Sequence, residues 1–189
     1  MASTDTPLYL IARLNARLQP IHRGELFEDP LDESMQAGSI GNVTGGGSQL
    51  GATREIQYCD IEIELRGERE HSVRTIIAKL EALGAPKQSK LKFAGEIQEI
   101  EFGRSEGLGL YLNGSDLPPE VYEASDINFV YAELERLTTG LGKVMSFWEG
   151  PTETAFYLYG MSFDRMKENI QILLDEYPLC QRCRVERIA

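Results

Sequence analysis

Histidine is nearly missing from this chain, with two in 189 residues, and cysteine and tryptophan number only three and one. Neither His22 nor His71 stands in a recognisable triad context, which leaves little for histidine-based acid–base or nucleophilic catalysis. His71 follows Glu68 and Glu70 at an expected helix start, where a solvated surface histidine is the ordinary outcome. Cys180 and Cys183 form a single C-x-x-C. Zinc calls for four ligands, and the remaining candidates (Cys59, His22 and His71) are widely separated in sequence. A thioredoxin-type pair precedes a helix whose N-terminus lowers the thiol pKa, whereas this one precedes an expected strand. Two incidental thiols are the expectation, with no metal and no cofactor.

Long apolar runs are absent too: none approaches the roughly 20 residues needed to cross a bilayer. The opening MASTDTPLYLIARLNARL has neither a basic leader nor a long apolar core. With so few cysteines, a cytoplasmic location is expected. Positive charge is also short, with 19 Lys and Arg against 30 Asp and Glu, a net charge of −11. Such a surface repels nucleic-acid phosphates and anionic membranes, and suits solubility or a basic protein partner.

What the chain does have is an internal echo. Glu25-Leu26-Phe27-Glu28 leads into Asp29-Pro30-Leu31-Asp32, and Glu120-Val121-Tyr122-Glu123 leads into Ala124-Ser125-Asp126. Both read Glu-aliphatic-aromatic-Glu before a helix start with Asp near the cap. The match continues in Gly41-Asn42-Val43 and Gly142-Lys143-Val144. A turn-rich gap, a strand (55–65 and 153–161), an amphipathic helix (69–85 and 162–178) and a last strand (89–94 and 183–188) follow in each half. Val73, Ile76, Ile77 and Leu80, and Met166, Ile170, Leu173 and Leu174, carry the helical spacing. Opening strands are expected at 8–18 and 108–114. The order strand–helix–strand–strand–helix–strand, twice over, is the ferredoxin-like α+β sandwich in tandem duplication: two antiparallel four-stranded sheets, each with two helices. The expected modules are 1–95 and 96–189. The fold serves many purposes and supplies no function by itself.

The run GNVTGGGSQLG, Gly41 to Gly51, invites a phosphate-loop reading. No helix and no Gly-Lys-Ser/Thr follow it, so a hairpin tip at Gly45–Gly47 is expected instead. In strand 55–65, alternation puts Tyr58, Asp60, Glu62 and Glu64 on one face. Three carboxylates at that spacing invite a divalent cation. The stronger expectation is an ion ladder with Arg13 and Arg17 of the neighbouring first strand. The matching face of the second module is expected to carry Phe156 and Leu158 and to be covered by the other half of the chain or by a second subunit. Trp148, beside Phe147 at the expected second hairpin tip, would anchor a partner if exposed.

These residues lead first to a non-enzymatic binding protein that engages a basic protein partner, in its most specific form an immunity- or antitoxin-type inhibitor. The candidate binding residues are Phe147, Trp148, Phe156, Leu158, Asp60, Glu62 and Glu64, and a homodimer is allowed. A small-molecule sensor with its ligand between the modules is the alternative. A metal-dependent enzyme built on Asp60, Glu62 and Glu64 comes third, on condition that Arg13 and Arg17 point away from them.

Overall fold

The computed structural model describes residues 7–189. It contains two antiparallel sheets of five and four strands with helices, an α+β fold. The chain divides into two compact units: the residues up to Leu50 together with Ile56–Arg104, and Gly51–Glu55 together with Ser105–Ala189.

In the first unit, β1 (Leu8–Leu14) leads into a helical segment made of α1 (Pro20–Arg23), a π turn (Gly24–Glu28) and α2 (Asp29–Ala37). Then come β2 (Gly41–Leu50), β3 (Ile56–Leu65), α3 (Arg69–Ala82), β4 (Ser89–Phe93) and β5 (Glu99–Phe102). The sheet order is β2-β3-β1-β4-β5. β5 is an extra edge strand, and it lies beyond the 95/96 division read from the sequence. Leu10, Ala12, Leu14, Cys59, Ile61, Ile63 and Leu65 alternate onto the buried face, where Phe27, Leu31, Met35, Ile76 and Leu80 of the helices are also buried.

The second unit repeats the plan. β6 (Glu106–Asn113), α4 (Pro119–Ala124), α5 (Ile127–Leu137), β7 (Gly142–Glu149), β8 (Glu153–Gly160), α6 (Phe163–Glu176) and β9 (Arg184–Arg187) give the order β7-β8-β6-β9. Its core joins Leu108, Leu110, Leu112, Phe156 and Leu158 to Val130, Leu134, Met166, Ile170 and Leu173. Helix starts follow capping chemistry. The Asp126 carboxylate accepts from the Asn128 N–H at 2.8 Å, Ser162 accepts from Arg165, and Glu68 accepts from Glu70 and His71.

The Gly-x-Val echo has a physical basis. Each edge strand bulges just after its valine, at Val43/Gly45 and at Val144/Ser146. The N–H of Val43 donates to Asp32 of α2 at 2.8 Å, and that of Val144 donates to Glu135 of α5 at 2.6 Å. A bulge removes a backbone donor from the ladder, and in both copies a carboxylate on the preceding helix takes it up.

The glycine run needs correction. Gly41 to Leu50 is strand β2 itself, with Gly45, Gly46 and Gly47 opposite Glu62, Ile61 and Asp60, and the turn lies at 51–55. Phe147 and Trp148 likewise belong to strand β7, ahead of a turn at Gly150–Thr152.

Candidate functional site

The outward face of the first sheet is a set of paired charges. β1 and β3 pair antiparallel, with Arg13 opposite Asp60, Ile11 opposite Glu62 and Tyr9 opposite Glu64. Arg13 grips Asp60 with two parallel bonds, Nε to Oδ1 at 2.9 Å and Nη2 to Oδ2 at 3.0 Å. Its guanidinium lies 4.0 Å from the centre of the Tyr58 ring. The Asp60 hydrogen bonds hold the Arg13 pKa above its ordinary value. Glu64 accepts from the Tyr9 hydroxyl at 3.3 Å and from Arg66. The pairing with β3 ends at Leu14, short of Arg17. The metal reading requires Arg13 to point away from these acids, and Arg13 does the opposite. No cluster of three or more His, Cys, Asp or Glu able to hold a metal ion occurs among the described residues.

The matching face of the second sheet has different residues from those expected. Phe156 and Leu158 point toward the helices and belong to the core. The outward positions are Ala155, Tyr157 and Tyr159 on β8 and Gly107, Gly109 and Tyr111 on β6. The reason is register. Val144 pairs with Leu158 as Val43 pairs with Ile63, so Tyr157 and Tyr159 take the places of Glu62 and Glu64. A strand that is apolar on both faces hides this parity, because either set can face the core.

Residues of the same unit pack against part of this face. The Tyr111 and Tyr157 hydroxyls both donate to Glu55 Oε1, at 2.7 and 2.6 Å, and the two rings meet edge to face at 6.2 Å. The Arg184 guanidinium lies 3.5 Å from the centre of the Tyr111 ring and holds Glu153 with two bonds of 2.9 Å. Gly107 leaves room for this packing. A Cβ there would meet Ile188 Cγ1 at 2.7 Å and Tyr159 Cε1 at 2.9 Å.

Of the repeated glutamates, Glu28 has a structural role in the first copy, while Glu120 and Glu123 of the second are exposed. Phe27 is buried, and Glu28 accepts from Arg23 Nε at 2.7 Å while Arg23 Nη1 donates to Ser48 at 3.0 Å. The pair lies against Gly46, where a Cβ would overlap Glu28 and come within 2.6 Å of the Asp60 carbonyl oxygen. The first echo also lacks a helix start of its own. Glu28 and Asp29 are both helical, and the π turn runs straight into α2. In the second copy Tyr122 takes over the polar work, accepting from the Leu117 N–H and donating to the Asn113 carbonyl.

Position 147 is where the copies diverge on the helix side. Gly46 pairs with Ile61 and Phe147 pairs with Phe156, three residues past the valine in both. Phe147 is 37% exposed, and Tyr131 of α5, 45% exposed, has its ring 6.1 Å from Phe156. Ile127, one turn earlier on α5, and Phe129 are exposed as well. Trp148 is half-buried, its ring laid against Gly150. Tyr131 had no place among the residues picked from the sequence. Its signal is that α5, INFVYAELERL, carries more large apolar side chains than one buried stripe of Val130 and Leu134 uses. A cleft of about 380 Å³ opens beside this surface, lined by residues that include Leu112, Tyr122, Asp126, Ile127 and Thr154.

Burial pushes the Cys180 and Cys59 thiols up to about 12 and raises Cys183 as well, so all three are protonated at neutral pH. No helix among the described residues is long and apolar enough to cross a membrane.

No family model matches this chain, and no curated protein matches it. Similar solved structures include a protein described as unknown from Galdieria sulphuraria, at 8% identity and a TM-score of 0.33, covering 96% of this chain and 97% of that one. The first two RRM domains of a yeast poly(U) binding protein are similar at 12% identity and a TM-score of 0.25, with 96% and 99% covered. The ligand-free regulatory subunit of aspartate kinase from Thermus thermophilus follows at 9% and 0.29, with 89% and 93% covered. At these identities and scores the likenesses carry no argument about function, and the site's own chemistry has to supply one.

Proposed function

We propose that this is a binding protein that engages a basic protein partner through the aromatic surface around Phe147 in the second unit. The observation that supports the reading is the pair Phe147 and Tyr131, both exposed, flanking the core residue Phe156. In the first unit the position matching Phe147 is Gly46, with Arg23 and Glu28 packed against it. Large aromatic side chains left standing on a surface are the usual anchors of interfaces. Glu120, Glu123 and Asp126, and Glu149 at the end of β7, are exposed on the same unit, and the chain carries a net charge of −11. Acidic surroundings of this kind speed encounter with a basic partner and disfavour an acidic one. An immunity- or antitoxin-type inhibitor of a positively charged toxin is the most specific form of the reading.

The test is binding to the basic proteins encoded beside this chain, followed by titration calorimetry at several salt concentrations. Phe147→Ser and Tyr131→Ser are expected to weaken binding at least about tenfold each, and added salt to weaken it further. Absence of salt-sensitive affinity for every such protein overturns the reading.

A small-molecule sensor is the second reading, supported by the cleft beside Ile127, whose volume falls within the range of ligand sites. A metabolite that binds the native state raises its melting temperature. Ile127→Arg should remove that shift if the cleft is the site.

A further inference from the structure

The outward face of the first sheet carries a row of residues that the chain's own ion pairs leave incomplete. The pairing registers set Glu62 of β3, Ile11 of β1 and Lys92 of β4 on one rung. On the adjacent rung, Arg13 is bound to Asp60, and Lys90 of β4 is bound to Glu99 of β5 at 2.6 Å. Glu62 and Lys92 are exposed, and among the described residues Glu62 has no hydrogen bond or ion pair. Lys92 stands opposite Glu99 and acts on it only at longer range, the direct bond to Glu99 coming from Lys90. Between Glu62 and Lys92, Ile11 is 40% exposed, and Tyr9, next on the same strand face, is 49% exposed.

We infer that this face docks a second copy of the same chain, through a two-fold axis parallel to β1. A two-fold in the interface plane exchanges left and right, so the strand on one side of β1 meets the strand on the other side in the partner. Glu62 then faces Lys92 of the second copy, Lys92 faces Glu62, and the two Ile11 side chains meet on the axis. An isologous contact requires one patch to be complementary to itself, and a rung reading acid–isoleucine–lysine satisfies that requirement. The same operation gives Glu62 and Lys92 each a close partner of opposite charge.

The face is small. Five strands about 4.8 Å apart and strand lengths near 20 Å give roughly 400 Å² per copy, the size class of weak and transient contacts. The dimer is therefore expected in the micromolar range or weaker, and its strength falls with salt.

Sedimentation of the full chain, from micromolar to several hundred micromolar and at low and high salt, tests the proposal. The wild type is expected to self-associate at low salt. Ile11→Glu, Glu62→Lys and Lys92→Glu are each expected to weaken association about tenfold or more. The double variant Glu62→Lys with Lys92→Glu exchanges the charges and is expected to restore association. A monomer at every concentration, or a double variant no better than the singles, overturns the proposal. Self-association indifferent to all four variants places the contact elsewhere and overturns it too. A monomer that loses affinity for a basic protein on Glu62→Lys would give the face to that partner instead.

Discussion

The rung through the middle of the first sheet reads Glu62–Ile11–Lys92; the matching rung of the second reads Tyr157–Gly109–Glu186. One rung along, Asp60–Arg13–Lys90 stands against Ala155–Tyr111–Arg184. On the opposite faces the sets are alike: Leu10, Ala12, Ile61 and Ile63 in one, Leu108, Leu110, Phe156 and Leu158 in the other. The helix-covered face fixes the fold and tolerates only apolar exchange. The outward face is constrained by nothing in that topology, so one copy became a solvated ladder and the other a buried glycine–tyrosine layer touched by Ile188, Arg184 and Glu55.

Swapping the two faces breaks the comparison most severely. Tyr157 is 1% exposed, and its hydroxyl already donates to a carboxylate. Tyr157→Glu gives it the residue found at the equivalent position in the first unit and buries an unpaired charge beside Glu55. The expected loss is about 3–5 kcal/mol, the usual cost of an uncompensated buried charge. Glu62→Tyr, the reverse exchange on an exposed face, is expected to change stability by no more than about 0.5 kcal/mol. Trp148 is the only tryptophan and lies in the second unit, so urea unfolding followed by its fluorescence reads the first variant. Amide exchange on β1 and β3 reads the second.

Much of this architecture is legible in the sequence because it rests on periodicity. The alternation in 56–65, the helical spacing of Ile76 and Leu80, and the cap at Asp126 are local signals that the structure repeats. Arg13 with Asp60 was legible for the same reason, once the first and third strands were taken as neighbours. The failures have a common cause. GNVTGGGSQL lacks side chains on which alternation could register, so a ten-residue strand reads as a turn. ETAFYLYG is apolar at every inner position, so its two faces cannot be told apart without the bulge that sets the count. Glu55 was invisible as the acceptor of two tyrosines, because that arrangement depends on tertiary packing alone.

The glycines themselves give a finer test of the same contrast. A Cβ at Gly46 would overlap the Arg23–Glu28 pair, whereas one at Gly47 would meet nothing within 4 Å. Gly46→Ala is expected to cost about 1–3 kcal/mol through overpacking, and Gly47→Ala to fall within about 0.5 kcal/mol of wild type. If the two were equal, the run would be glycine-rich for the sake of backbone freedom, and the packing of Arg23 and Glu28 would not be the reason. The phenylalanine at the position matching Gly46 would then need another explanation than the absence of such a pair.

The smallest expected effect concerns what the outward faces still share. Each has an arginine lying over a tyrosine ring and held by two bonds to a carboxylate: Arg13 on Tyr58 with Asp60, and Arg184 on Tyr111 with Glu153. Hydrogen bonds from Arg184 hold the Glu153 carboxyl below its ordinary 4.5. A carboxylate depressed in the folded state stabilises it above the unfolded value, and that contribution fades as the pH falls through the folded value. Both partners are about a third exposed or more, so solvent screening limits the effect to about 0.5 kcal/mol. Glu153→Gln is therefore expected to be slightly less stable than wild type at neutral pH. The gap should close below pH 4.5 as the wild-type carboxyl takes up its proton. A gap that persisted unchanged in acid would mean that Glu153 acts through its shape and neutral hydrogen bonds, and that the pair over Tyr111 is held by packing where the pair over Tyr58 is held by charge.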